Sequence, residues 1–132
     1  MANTRAMGAT PQQEWIREAI DTSDYENVFS ARIANNGTAS VISKSADFID
    51  SVVRTSSGTV TVNFKAGFFS VAPSVVSDIN TTIIDRESVV TQISTTSVQV
   101  RTRVTHISNN FEDYPFQITV HRQGADVKNI LV

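Results

Sequence analysis

Thr59-Val60-Thr61-Val62-Asn63-Phe64 alternates apolar and polar side chains over its whole length. In an extended chain Val60, Val62 and Phe64 fall on one side, and Thr59, Thr61 and Asn63 on the other. A period of two buries one face of a strand and wets the other, which is the pattern of an antiparallel sheet. A helix would scatter the same residues around its circumference.

The period recurs on both sides of this run. Downstream, Val98-Gln99-Val100-Arg101-Thr102-Arg103-Val104 alternates in the same way, and so do Phe116, Ile118 and Val120. Upstream, Val28–Ile33 is followed by Asn35-Asn36-Gly37, and Asn-Gly between apolar runs is the strongest short hairpin signal. Ala39–Ser43 answers it. Phe48–Arg54 leads into the turn Ser56-Ser57-Gly58. After Phe64, Ala66-Gly67 breaks the run and Phe69, Val71, Pro73 and Val75 follow. With Val89–Ser94, Ser97–Val104 and Pro115–His121 this makes about eight or nine short strands, which predicts an all-β antiparallel sandwich or jelly roll.

Composition agrees. Of 132 residues, 17 are Val and 12 are Ile, against a single Leu, Leu131, and Ser and Thr add 30 more. Val, Ile and Thr are stiff at χ1 and suit a pleated surface, whereas helical proteins favour Leu. The hydrophobic fraction of 40% and charged fraction of 18% fit a packed core. The 11 basic residues are dispersed and the net charge is -2. A duplex-binding domain shows a basic stripe, so no nucleic-acid partner is expected. The absence of Cys removes disulfides, thiolate-ligated metals and a cysteine nucleophile. No apolar run approaches the roughly 18 residues of a membrane span. Met1-Ala2-Asn3-Thr4-Arg5 is not followed by an apolar stretch, so no secretory leader is expected.

One segment reads differently. Thr10-Pro11-Gln12-Gln13 has an N-cap residue, Pro at the first helical position and Gln where a capping box places it. Trp15, Ile16, Ala19 and Ile20 then share one face at helical spacing. Roughly ten residues do not hold a helix alone in water. The segment therefore docks, either on an open end of its own sandwich or, through Trp15, Ile16 and Ile20, on a neighbouring subunit or larger assembly. The expected division is a 1–27 arm with a short helix, serving as anchor, and a 28–132 β-sandwich domain.

Chemistry is sparse. The sequence holds no Gly-x-Ser-x-Gly elbow, no phosphate-binding glycine loop and no His-Glu-x-x-His. Its two histidines, His106 and His121, sit at strand ends and read as rim residues. Glu112-Asp113 lies in the polar loop Ser108–Tyr114, without a calcium-loop pattern. Arg101 and Arg103 share a strand face, with Lys65 on a strand nearby, and read as a charged exposed face or a small anion or polysaccharide patch. Phe111, Tyr114 and Phe116 flank the loop and act either as plugs closing the sandwich end or as platforms for sugars. Phe111, Asp113 and Tyr114 are thus the ligand-loop candidates. No catalytic residue, metal or cofactor is expected. Asn36-Gly37-Thr38 and Asn80-Thr81-Thr82 match the glycosylation sequon by chance in a Ser/Thr/Asn-rich chain.

Two stretches carry a resemblance. The first runs from Ala31-Arg32-Ile33-Ala34-Asn35-Asn36-Gly37-Thr38-Ala39-Ser40-Val41-Ile42-Ser43 to Phe48-Ile49. It continues in Gly58-Thr59-Val60-Thr61-Val62-Asn63-Phe64 and Gly67-Phe68-Phe69-Ser70-Val71-Ala72-Pro73-Ser74-Val75. The second is Val98–Thr102, then Asp113, then Phe116–Asp126. Together they resemble the receptor-binding C-terminal β-domains of bacteriophage tail fibres and related virion structural proteins, over roughly residues 30–126. The phenylalanine–proline spacing is also similar to the H-type lectin fold, which forms trimers and binds sugars. The resemblance implies a non-enzymatic virion protein, made in the host cytoplasm, that forms a homotrimer and contacts other capsid or tail proteins. Fibre domains of this kind follow a long shaft, whereas about 30 residues precede this one. The expectation is therefore a capsid decoration protein or a short head, neck or tail fibre knob, with residues 1–27 as its anchor. The alternative is a carbohydrate-binding adhesin module that recognises host-surface polysaccharide through the 108–114 loop.

Overall fold

A computed structural model describes residues 26–79, 82, 84–105 and 110–129. The expected helical arm, with Trp15, Ile16 and Ile20, lies outside the described residues, as does His106. Eight strands form: β1 Val28–Asn35, β2 Ala39–Lys44, β3 Ile49–Ser56, β4 Thr59–Phe64, β5 Ser74–Ile79, β6 Arg86–Thr91, β7 Ser97–Val104 and β8 Phe116–His121. They make two antiparallel four-stranded sheets, ordered β2-β1-β8-β5 and β3-β4-β7-β6. Among the described residues the one helical element is a 3-10 turn at Gly124–Asp126.

The inward faces of both sheets meet in one core, giving a sandwich-like arrangement. Phe29, Ile33, Phe116, Ile118 and Val120 come from the first sheet, and Val60, Val62, Phe64, Val98 and Val100 from the second. The β4 run behaves as its alternation requires: Val60, Val62 and Phe64 are buried, and Thr61 and Asn63 turn outward beside Gln99 and Ser97 of β7. Thr59 also points outward, but it is buried beneath Arg101, whose Nε donates to its hydroxyl.

Two expected runs are shifted. The stretch from Phe69 to Val75 is not one strand: 66–73 is irregular and places Phe69 in the core, and β5 begins after Pro73. Proline has no N–H to give a ladder, so pairing starts beyond it. The run expected over Val89–Ser94 moves upstream to Arg86–Thr91, because Gln92 takes a positive φ of 50° and turns the chain. Three successive connections, β1–β2, β3–β4 and β6–β7, are hairpins that stay within a sheet, and the other four cross between the sheets.

Candidate functional site

The sheets have two chemically distinct ends, and the candidate loop closes one of them. At that end β1 finishes at Asn35, β3 at Ser56 and β7 at Val104. Ser57 and Gly58 make the β3–β4 turn, with Ser56 opposite Thr59. Gly58 has a φ of +66°, and a Cβ there would lie 2.6 Å from the Thr102 carbonyl oxygen and 2.7 Å from the Glu112 nitrogen. Only glycine lets the loop lie this close to the turn.

The described part of the loop, from Asn110 onward, is stitched down by hydrogen bonds. Val104 N–H donates to the Asn110 carbonyl, Glu112 N–H to the Thr102 carbonyl, and Thr102 N–H to the Gly58 carbonyl. The Thr102 hydroxyl, itself buried, donates to the Glu112 carbonyl, and Ser57 donates to that of Phe111.

Asp113 is the centre of the arrangement. Its Oδ1 accepts from Gly58 N–H at 2.6 Å and from Asn35 Nδ2 at 3.1 Å. Arg54 meets it with two nitrogens, Nε at 3.1 Å and Nη2 at 2.9 Å from Oδ2. The Arg54 hydrogen bond, helped by Gly58 N–H and Asn35, holds the Asp113 carboxyl below the usual carboxylate range against the opposing effect of burial. Asn35 belongs to the first sheet and Arg54 to the second, so one carboxylate ties both layers together.

The aromatic candidates are also engaged. The Arg101 guanidinium carbon sits 3.8 Å from the centre of the Phe111 ring. Tyr114 hydroxyl accepts from Arg86 Nε at 2.6 Å and donates to Glu112. Phe116 is buried in the core, which fits a plug. Arg103 pairs with Glu87. Lys65 is not brought to Arg101 and Arg103: it follows β4 at the opposite end and pairs with Asp47. His121 lies on the outer side of β8, between Val28 and Ser74.

The structure thus brings Phe111, Asp113 and Tyr114 to one end, beside Asn35, Arg54, Gly58 and Arg86. Sequence reasoning missed Arg54 and Asn35 because nothing local links them to a carboxylate more than fifty residues away. The one signal that could have pointed there was Gly58, a turn glycine followed directly by a strand.

The opposite end is aromatic. Phe29, Phe48, Phe64, Phe68 and Phe69 form a continuous cluster, with ring centres 4.9 Å apart for Phe64–Phe69 and Phe68–Phe69. Arg122, 7% exposed, lies over Phe68 at 4.8 Å and Phe29 at 5.0 Å, and its Nε donates to the Glu26 carbonyl. Asp126 accepts from the N–H groups of Ser70 and Val71 and from the Ser70 hydroxyl, clipping 66–73 to the 3-10 turn.

No family model matches the chain, and neither a curated protein nor a solved structure matches it. No described helix is long and apolar enough to cross a membrane. Among the described residues no cluster of His, Asp or Glu has the make-up of a metal site.

Proposed function

We propose that the chain is a non-enzymatic bacteriophage virion surface protein, a β-sandwich knob that decorates the capsid or heads a short head, neck or tail fibre. In this reading it assembles as a homotrimer, and the 1–27 arm, with Trp15, Ile16 and Ile20, anchors it to the particle. The observation that carries the reading is that the resembling motif forms one continuous architectural unit. Gly58 begins the unit at the turn, Val60, Val62 and Phe64 fill the core from β4, and Gly67 turns the chain at a φ of +76°. Phe69 re-enters the core, and Val75 does so again beyond Pro73. Residues spaced to build a scaffold, rather than to hold a substrate, suit a structural module.

The loop chemistry supports the same side. Asp113 is committed to Arg54, Gly58 and Asn35, and Arg101 covers Phe111. A sugar platform on this loop, the alternative reading, draws less support from rings and carboxylates already occupied.

Immunogold labelling of purified particles tests the proposal. Gold at one class of virion position is expected, and unlabelled particles would sink it. Native mass measurement tests the trimer separately. Deleting residues 1–20 is expected to leave a folded oligomer that no longer binds particles.

A further inference from the structure

The outer face of the second sheet carries hydrogen-bond donors that its own acceptors do not use up. Thr59 and Thr61 of β4 lie opposite Arg101 and Gln99 of β7, and all four are on the outward side. Neighbouring strands lie about 4.8 Å apart and alternate residues about 6.7 Å, so the four span a patch matched to one sugar ring.

Arg101 is fixed in place from two directions. The Phe111 ring centre lies 3.8 Å from its guanidinium carbon, a contact with no room for water between, and its Nε donates to the Thr59 hydroxyl at 3.3 Å. Among the described residues no carboxylate pairs with it, which leaves the N–H groups of Nη1 and Nη2 to donate. Gln99 is fixed as well: its Oε1 accepts from the Thr91 hydroxyl at 3.0 Å, so its amide nitrogen remains as a donor. Side chains that are already ordered bind a ligand at a lower entropic cost.

The carboxylates around the patch are committed elsewhere. Glu87, one row along the sheet, pairs with Arg103. Glu112 of the loop accepts from the Tyr114 hydroxyl and lies 3.6 Å from Arg86. Among the outward side chains of β4, β7 and β6, Arg101 is thus the charge without a counterpart. Both β4 and β7 are central strands, so the patch offers no open backbone edge to a peptide strand, and Arg101 covers Phe111 as a stacking platform for bases.

We propose that this patch binds a carboxylated sugar unit of an acidic polysaccharide. Nη1 and Nη2 of Arg101 take the two carboxylate oxygens, a pairing for which the planar guanidinium is suited. The Gln99 amide and the Thr61 hydroxyl meet the ring hydroxyls. Phe111 holds the guanidinium from behind and does not itself touch the sugar. The site does not depend on the particle assignment.

The test is an NMR titration of the full chain with a galacturonate oligomer, a neutral galactose oligomer, oligoglutamate and inorganic phosphate. Saturable shifts at Thr61, Gln99 and Arg101 are expected with galacturonate and not with the neutral oligomer. Arg101→Gln is expected to weaken binding about ten- to a hundredfold, the range for one charge-assisted hydrogen bond. Arg101→Lys, which keeps the charge and loses the fork, is expected to weaken it about tenfold. Gln99→Glu, which sets a competing carboxylate beside Arg101 without touching the core, is expected to abolish it. Lys44→Gln, a cation removed from the other sheet, should leave affinity unchanged. Amide spectra away from the patch report that each variant is folded. Equal binding of the neutral oligomer or of oligoglutamate, tighter binding of phosphate, unaltered affinity in Arg101→Gln or Gln99→Glu, or no shifts at these residues would each overturn the proposal.

Discussion

At one end of the sheets five phenylalanines stack beside a buried guanidinium, and at the other a single carboxylate gathers an arginine, an asparagine and a turn N–H. Both close the same two layers, by different physics. Aromatic closure is non-directional: its strength scales with buried area and tolerates small rearrangements. Carboxylate closure is directional, and leaving any of its buried members unpaired carries a desolvation penalty. The first end should therefore fail through cavities, and the second through geometry and protonation.

The largest expected effect is at the aromatic end. Phe48 is fully buried and touches Phe29, Phe64 and Phe68. Phe48→Ala should cost about 3–5 kcal/mol in urea unfolding, by the same amount at pH 5 and pH 7. A loss under about 1 kcal/mol would break the distinction.

Next is Gly58→Ala, expected to cost about 3 kcal/mol from a positive φ and contact with three backbone atoms that cannot move aside cheaply. Gly37, at a φ of +103° in the β1–β2 turn, has open space around it, and a methyl group added there would meet nothing within 4 Å. Gly37→Ala should therefore cost only about 1 kcal/mol, and the difference between the two isolates crowding by the loop.

Asp113→Asn should cost about 1–3 kcal/mol at pH 7, where the carboxylate is ionised in both states. Its folded pKa is lowered, so the stabilisation is complete above the unfolded value of about 3.9 and is lost as pH falls through the folded one. The wild-type chain should thus lose stability below about pH 4, and Asp113→Asn should flatten that slope. An unchanged acid profile would remove the carboxylate from its assigned role. Asp126, lowered by Ser70 and Val71, contributes a residual slope of the same sign at the aromatic end.

The smallest effect belongs to Asp47, half in solvent between Lys44 and Lys65. The hydrogen bond from Lys44, then that from Lys65, lowers its pKa to about 2. NMR titration should find that value, while Asp47→Asn barely moves the urea midpoint, as screened surface pairs usually do. A titration near the ordinary aspartate value would dissolve the pairing.

The parts legible in the sequence follow from local periodicity. Alternation in 59–64, 97–104 and 116–121 gave the strands and their buried sides, and Asn36-Gly37 and Ser57-Gly58 gave two hairpins. Sheet order was not legible, because a period of two says which side is dry and nothing about which strand lies alongside. The β6 boundary was missed because Gln92 adopts a positive φ that its side-chain type does not advertise. Phe111 and Tyr114 were found as residues, but their covering by Arg101 and Arg86 depends on strand register.

β1 pairs with β2 on one side and with β8 on the other, and Val28 lies opposite His121 about ninety residues later. On the ribosome, at roughly 5–20 residues per second, the hairpin must wait about 5–20 s before its second neighbour is made. During that interval Phe29, Ile33 and an open strand edge face solvent together. The newborn chain is therefore most vulnerable to clumping before its last strand emerges, and slow codons between β2 and β8 would lengthen that exposure.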